Sequence, residues 1–330
     1  MSGTRWTRRA ILALSGLGFG ATQAPTHEPH GRMGLVGRVT DASIDPTAFL
    51  RTWNFSDLPA PERAKYYRET RRPDGTMLRE YQIYAAPKTI EVAPGVKFEA
   101  WTYNGQVPGP TLRATVGDEI RVTFENRSAH PHSIHFHGWH AADMDGSLPS
   151  QAIAPGATFT YAFRADPAGV HFYNCHVEPF KRHIHKGLYG AFIVDPREAR
   201  PAADELVMVM NAFDTNTDGK NEFYAVNTVA HHFMHDPVRV RVGRPVRIFL
   251  INVTEFDPIN SFHLHGHFFD VYRTGTLPQP DAHADTLMLC QGERARLEVT
   301  FRSPGDYMFH AHQSEFAELG WMGLFRAEPA

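Results

Sequence analysis

Cysteine is scarce in this chain, which has only two among 330 residues. Two cysteines cannot form a disulfide framework, and they cannot build a zinc site made of thiolates. An excess of positive charge is also lacking, because the formal net charge is -3, and this argues against nucleic-acid binding. A hydrophobic content of 42% with 21% charged residues is typical of a globular protein, and the length suffices for two domains.

A hydrophobic run long enough to anchor the chain in a membrane is missing from the N-terminus. Residues 1–24 have a basic start, a short apolar run over 10–21 and a small-residue end at Ala24. This pattern predicts an export signal with no stable membrane anchor. The Arg8-Arg9 pair resembles a twin-arginine signal, so we expect a periplasmic or secreted protein whose mature chain begins near Pro25.

The rest of the chain shows the pattern of an all-β protein. Residues 25–77 are rich in Pro, Arg, His and Asp and predict a surface lead-in. From residue 78 onward, short runs of Val, Ile, Phe, Tyr and Thr alternate with turn residues, which favours a β-sandwich or barrel. The predicted strands are 79–85, 119–125, 158–163, 191–194, 205–211, 238–242, 245–252, 268–272 and 295–301.

The two halves of this region repeat each other. Each half carries a His-x-His-Gly motif, His135–Gly138 in the first and His263–Gly266 in the second. Each half then ends on a strand introduced by Pro and Gly. The repeat predicts two β-domains of one plan, 78–196 and 197–330, joined by a linker over 196–203.

Histidine is abundant, with 20 residues, and six of these form three His-x-His pairs in repeated positions. Side chains alternate along a strand, so a His-x-His sequence places two imidazoles on one face. The pairs are His135/His137, His263/His265 and His310/His312. Because neutral imidazole ligates zinc, copper, iron and nickel, the pairs predict metal binding.

A separate site is predicted on the other face of the first domain. His132 and Cys175 point away from the neighbouring histidines His135 and His176 if the strands are regular, and His183 follows in the next loop. One thiolate and two imidazoles form the His₂Cys set of a blue-copper site. Leu188 would take the axial position, and a non-coordinating residue there should raise the reduction potential.

The segment Asn104–Asp118 resembles the opening of a multicopper oxidase domain, and 132–138, 175–190 and 310–312 extend the likeness over about 78–328. The resemblance is to two-domain, laccase-like enzymes with the blue type 1 copper in the first domain. It implies two cupredoxin-like Greek-key β-sandwich domains, and a homotrimer whose trinuclear type 2/type 3 copper clusters lie between subunits.

The second domain lacks the residues of a blue-copper site, which agrees with a type 1 copper in the first domain only. Asn260 occupies the position in the second domain that corresponds to His132 in the first, and Ala311 occupies the position of the ligand cysteine. No second blue-copper site is therefore expected in the second domain. The candidate cluster ligands are His135, His137, His176, His263, His265, His310 and His312. The adjacent Cys175 and His176 would link the two copper sites through one stretch of backbone.

One residue departs from the family pattern. The residue before the ligand cysteine is normally a cluster histidine, but here it is Asn174. An amide oxygen is a weak, hard donor for copper. The cluster is therefore either complete with altered affinity or has one labile copper, and the sequence leaves both open.

The favoured function is an oxidase that takes single electrons from a small reducing substrate and reduces dioxygen to water. Phenols, aromatic amines and low-valent metals all fit as the substrate. His183 is the expected entry ligand for electrons, because its loop is polar. Asp143 and Asp145 lie roughly where related enzymes carry an acid near the cluster, although both also suit a solvated loop.

Two other functions stay open. A copper nitrite reductase also pairs two such domains into a trimer, but it would need an acid in place of His135 and a histidine in place of Asn174. The other is a copper-binding or electron-transfer protein in which Asn174 has impaired the oxygen chemistry.

Further histidines suit supporting roles. The run 231–235 fits an additional copper site, a substrate entrance or a plain surface loop. His130, His140, His267 and His283 are candidates for fixing the tautomers of ligand imidazoles. Cys290 is assigned no chemistry.

Overall fold

A computed structural model describes residue 39, residues 42–51 and residues 60–330. The predicted export signal over 1–24 and much of the lead-in lie outside the described residues. Within them the chain is mostly strand, and every α-helix is short, the longest having seven residues. The all-β prediction is therefore confirmed. No described helix has the length and apolarity needed to cross a membrane.

The first sandwich is formed by residues 67–195. Its strands are β1 (Tyr67–Arg71), β2 (Met77–Ala93), β3 (Val96–Tyr103), β4 (Gly109–Thr115), β5 (Glu119–Asn126), β6 (His135–Phe136), β7 (Thr158–Arg164), β8 (Gly169–Asn174) and β9 (Tyr189–Asp195). One sheet has the order β1-β2-β5-β7 with β3 also paired to β2, and the other has the order β4-β9-β8-β6.

The second sandwich is formed by residues 204–328. Its strands are β10 (Asp204–Phe213), β11 (Phe223–Val226), β12 (Val238–Arg241), β13 (Pro245–Asn252), β14 (Ile259–Leu264), β15 (Phe269–Arg273), β16 (Ala282–Ala284), β17 (Thr286–Cys290), β18 (Arg294–Thr300), β19 (Gly305–His310) and β20 (Met322–Glu328). Its sheets have the orders β11-β10-β13-β18-β15-β16 and β12-β20-β19-β14-β17.

Short helices connect the strands. The α-helices are α1 (Pro46–Phe49), α2 (Ala60–Tyr66), α3 (Phe180–His185), α4 (His232–His235) and α5 (Ser314–Glu318), with 3₁₀ turns at Ala142–Met144 and Pro149–Gln151. Helix α3 lies between β8 and β9, in the loop where the sequence places the ligand His183.

Each sandwich has its own apolar core, and a third cluster joins the two. The joining cluster combines Phe98, Val170 and Ile193 of the first sandwich with Val209 and Phe249 of the second, all buried. Alternating apolar side chains on β5 and β18 explain why these segments form half-buried strands. The boundary between residues 196 and 197 stays a prediction.

The lead-in is more structured than the sequence suggested. Strand β1 pairs antiparallel with β2, although its side chains are almost all exposed and it shows no alternation. Helix α1 is docked on the body of the protein, because Phe49 is buried in the cluster between the sandwiches and Thr47 Oγ1 donates to Asp236. The prediction that the lead-in lies on the surface as a plain wrapping segment was therefore incomplete.

Candidate metal centres

The structure brings His132, Cys175 and His183 together in a buried group. The Cys175 Sγ atom lies 3.2 Å from His183 Nδ1 and 3.8 Å from His132 Nδ1, and the two Nδ1 atoms are 3.1 Å apart. Both imidazoles thus present the same nitrogen to the sulfur. His132 Nε2 is buried without a hydrogen-bond partner.

Backbone contacts fix the three side chains of this group. The His132 segment bridges to Ile153, Cys175 immediately follows β8, and His183 lies in α3. The Cys175 N–H donates to the Leu188 carbonyl at 3.0 Å, and Leu188 is fully buried. This hydrogen bond joins the two ends of the loop 175–188, which contains Cys175, His183 and Leu188.

Burial sets the protonation of these donors. It lowers the pKa of His132 to about 3 and that of His183 to about 4, so both imidazoles are neutral at pH 7 and each has a free lone pair. Burial also raises the pKa of the Cys175 thiol to about 11, even though the Ser133 N–H donates to Sγ at 3.4 Å. Metal binding at Cys175 must therefore release a proton.

Trp101 covers this group and was missed by the sequence analysis. Its ring centroid lies 5.1 Å from that of His132 and 4.9 Å from that of His183, and the backbone N–H of Trp101 donates to the Lys186 carbonyl. His183 itself is only 4% exposed. Because β3 is about 30 residues upstream of His132, no local sequence signal indicated this contact.

A second group of imidazoles lies next to the first. The ring centroid of His135 is 5.0 Å from that of His137 and 5.3 Å from that of His176. His137 stacks on Phe172, and its Nδ1 lies 3.4 Å from a guanidinium nitrogen of Arg294 in the second sandwich. The peptide between Cys175 and His176 therefore links the buried group to this one.

Asp145 contacts this second group and Asp143 does not. The carboxylate oxygen Oδ1 of Asp145 is 3.1 Å from His135 Nδ1 and 3.6 Å from His140 Nε2. Burial acts to raise the Asp145 pKa, but hydrogen bonding from Ser147 and the nearby His135 and His140 hold it below its ordinary value. Asp143 is exposed in the 3₁₀ turn.

The second sandwich holds the remaining imidazoles in one cluster. The ring centroid of His263 lies 4.9 Å from that of His265, 5.3 Å from that of His310 and 5.2 Å from that of His312. His265 Nε2 and His310 Nε2 are 3.0 Å apart. His265 and His312 are exposed. No hydrogen bond or ring contact in residues 60–330 joins this cluster to the histidines of the first sandwich.

Carbonyl groups select the tautomer of several of these histidines. His135 Nδ1 donates to the Asp145 carbonyl and His263 Nδ1 to the Asp285 carbonyl, both at 2.9 Å, and His310 Nδ1 donates to the Ala311 carbonyl at 2.6 Å. A carbonyl can only accept, so Nδ1 carries the proton and Nε2 keeps the lone pair. These contacts orient the imidazoles for metal binding through Nε2.

Asn174 lies opposite His135 in the β6–β8 pair. It is buried, its Nδ2 donates to the Cys175 carbonyl at 3.0 Å, and its Oδ1 has no hydrogen-bond partner. Asn260 is buried too, but it is engaged with Thr254, and the buried Ala311 supplies no donor.

The other histidines take varied positions. His130 and His140 contact rings of the two groups, through Trp101 and His135 respectively. His267 packs on Tyr307, whereas His283 is exposed and pairs with Asp270. In the run 231–235, His232 bonds to Thr47 of the lead-in, and no candidate metal group of the described residues includes this run.

The fold and donor sets define a copper protein built from two cupredoxin-like sandwiches. Family models described as multicopper oxidase match residues 85–199 and 200–330. The chain therefore belongs to the multicopper oxidase family.

Individual relatives fall into two activity classes. A solved structure described as a multicopper oxidase is 52% identical with a TM-score of 0.82, and the match covers 87% of this chain and 98% of that one. A copper-containing nitrite reductase of Neisseria meningitidis serogroup B is 28% identical over 92% of this chain and 77% of its own length. The multicopper oxidase MmcO of Mycobacterium tuberculosis is 41% identical over 70% of this chain and 54% of its own length.

Copper is the cofactor of this family, and the donors of this chain fit it. One thiol sulfur with two Nδ1 atoms is the donor set of a blue-copper site. The tautomers of His135, His263 and His310 agree with imidazoles poised to ligate through Nε2.

Proposed function

We propose that the protein is a laccase-like multicopper oxidase that couples one-electron oxidation of a small reductant to reduction of dioxygen to water. Four one-electron oxidations and four protons convert one dioxygen into two waters. The observation that carries the proposal is the direct succession of Cys175 in the buried group and His176 in the partly exposed group of His135, His137 and His176. A redox site and a dioxygen site are then separated by one peptide unit.

Copper supplies the reversible one-electron chemistry. His132, Cys175 and His183 would hold the type 1 ion, with the apolar Leu188 beside it. His135, His137 and His176 of one sandwich, with His263, His265, His310 and His312 of the other, would hold the cluster. The reductant would deliver electrons near His183, through the surface formed by Trp101 and Arg182, whose guanidinium carbon is 5.1 Å from the indole centroid.

We assign proton delivery to Asp145. Its carboxylate lies 3.1 Å from His135 Nδ1 and is part of a partly exposed loop, so it connects solvent with the cluster histidines. Asp143 has no such contact, which leaves Asp145 as the stronger of the two sequence candidates.

We further propose a homotrimer in which each cluster is completed by a second copy. The supporting observation is that both histidine groups are partly exposed within one chain and do not touch each other. Large apolar side chains stand exposed close to both groups in sequence, with Trp139 70%, Phe180 40% and Phe268 58% exposed. Exposed apolar patches mark protein interfaces. The N-terminal sequence supports export to the periplasm or the outside.

Nitrite reduction is the second candidate. It is favoured by the relatives with that activity, such as the Neisseria meningitidis protein at 28% identity. Two residues argue against nitrite reduction, because it would need an acid in place of His135 and a histidine in place of Asn174. A pure electron-transfer role is the third candidate and rests on Asn174 alone.

The test is dioxygen consumption by copper-loaded protein, with a phenol, an aromatic amine and cuprous ion as reductants. We expect uptake with at least one, no accumulation of hydrogen peroxide, and four electrons consumed per dioxygen. The same reductants are then offered with nitrite under anaerobic conditions. Nitrite turnover without dioxygen uptake would show that the protein is a nitrite reductase and not an oxidase. If neither activity is found, electron transfer becomes the favoured function.

A further inference from the structure

The two sandwiches place corresponding strands in the same register around their histidines. In the second sandwich His263 pairs with His310 across β14 and β19. In the first sandwich His135 pairs with Asn174 across β6 and β8. The internal repeat of this chain thus aligns Asn174 with His310, independently of any other protein.

The aligned positions differ in what they offer a metal. His310 has its Nε2 within 3.0 Å of His265 Nε2, and it belongs to a group of three imidazoles whose nitrogens lie within 4.8 Å of one another. Asn174 offers an amide in place of that imidazole. In the first sandwich the candidate group around His135 consists of His135, His140 and Asp145.

The orientation of the Asn174 amide makes its oxygen the available atom. Nδ2 donates to the Cys175 carbonyl at 3.0 Å. Rotating the amide by half a turn would bring Oδ1 against that carbonyl, so that two acceptors would face each other. Oδ1 is therefore directed away from the Cys175 carbonyl, and it is buried with no hydrogen-bond partner. A buried amide oxygen normally has a partner, such as a hydrogen-bond donor, a bound water or an ion.

Two nearby histidines are each engaged with the backbone through one ring nitrogen. His171 is buried in the same strand, but its Nε2 donates to the Pro167 carbonyl at 2.9 Å and its ring packs toward Phe192. His140 likewise donates from Nε2 to the Phe136 carbonyl at 2.9 Å. Both are held by backbone carbonyls through Nε2, whereas Nδ1 of His171 is buried without a hydrogen-bond partner.

We infer that Asn174 is a weak oxygen ligand of the cluster and makes one of its copper ions exchangeable. The inference rests on the proposed cluster. Replacing a soft-borderline imidazole by a neutral amide oxygen weakens copper(II) binding and favours hard ions at that place. The type 1 site does not share this weakness, because its three donors are intact. The protein would thus hold its blue copper tightly and release one cluster copper first.

The test is copper release from the copper-loaded, full-length protein during dialysis against increasing concentrations of a chelator. Metal content per subunit and the blue absorbance are followed together. We expect two phases, in which one copper leaves first without loss of blue absorbance and is regained when copper is returned. Release of all copper in one phase, or loss of the blue colour first, would overturn the inference.

Two reciprocal variants sharpen the test. N174H should retain one more copper per subunit than the wild type at the same chelator concentration, whereas H310N should lose one more. The apparent affinity for this copper should rise at least about tenfold in N174H. Equal retention by wild type and N174H, with both folded and blue, contradicts the inference. Should N174H fail to fold, the two-phase release of the wild type decides alone.

The outcome for dioxygen is read separately in the same samples. Dioxygen uptake with single-phase copper release would refute the exchangeable copper at Asn174 and would support the proposed oxidase function. Two-phase release without dioxygen uptake would keep the exchangeable copper and remove the oxidase.

Discussion

The Nδ1 atom of His183 lies 3.2 Å from the Sγ atom of Cys175 in a part of the protein that solvent does not reach. This contact places a thiol against a neutral imidazole, and the proposed type 1 copper site would use both as ligands after the thiol loses its proton. The contact also distinguishes Cys175 from Cys290, which is exposed and whose backbone N–H donates to the Glu293 carboxylate.

Serine in place of Cys175 is expected to abolish the blue absorbance and to lower dioxygen turnover more than about 100-fold, since loss of a ligand exceeds the effect of losing an outer contact. The control is C290S, which should keep both properties. Absorption spectra and oxygen-electrode traces of the two variants provide the measurement. Retained turnover in C175S would contradict the assignment of Cys175 to the electron path.

Asparagine in place of Asp145 is expected to lower dioxygen turnover about 10- to 100-fold while leaving the blue absorbance unchanged. The reason is that Asp145 contacts His135 and not the buried group. The matched variant is D143N in the same 3₁₀ turn, which should turn over like the wild type. Equal losses in both variants, or in neither, would speak against a proton-delivery role for Asp145.

Serine in place of Trp139 or Phe268 is expected to dissociate the proposed homotrimer, because both side chains are more than half exposed in one chain. Analytical ultracentrifugation should then show smaller species that keep the blue absorbance but bind fewer copper ions. F159S, on the edge strand β7, is the control and should remain assembled. A wild-type protein that is monomeric while holding about four copper ions per chain would refute the interfacial cluster.

The stability of the protein should depend on the protonation of Glu255. Burial raises the pKa of this carboxyl to about 7 from 4.5, against the opposing effect of Lys181. The folded protein therefore binds this proton more readily than the unfolded chain, and the stabilisation present at acidic pH is lost as the pH rises toward 7.

Thermal unfolding at pH 5 and pH 8 tests this dependence in E255Q, whose side chain does not titrate. The decrease in Tm from pH 5 to pH 8 should be about 2–4 °C smaller in E255Q than in the wild type. E318Q, at an exposed position, should follow the wild type. Parallel curves for wild type and E255Q would show that this carboxyl does not control the pH dependence.

Much of the fold was predictable because it follows from local alternation. The run 119–125 predicted β5 almost to the residue, and His135 with His137 were placed on one face by strand parity alone. Strand β1 was not predictable in the same way. Its exposed sequence YRETR carries no apolar face, and only pairing with β2 makes it a strand.

The parts of the site that depend on long-range packing were not predictable. The sequence presented Asp143 and Asp145 as equal candidates for an acid near the cluster histidines. A sharp turn after Asp145 brings its carboxylate, and not that of Asp143, to His135. Gly146 has a φ of 71°, and a Cβ there would collide with the Ile134 carbonyl, so only glycine allows Asp145 to approach His135. Trp101 reaches the buried group from another strand, and no motif marks that contact.

The most direct test of the account is a single reoxidation experiment. Copper-loaded protein is reduced without dioxygen until the blue absorbance disappears, and dioxygen is then admitted while the absorbance is followed. We expect the blue colour to return at a rate at least equal to steady-state turnover, and nitrite alone should not restore it. A protein that stays bleached under dioxygen, or that recovers its colour only with nitrite, would contradict the central claim.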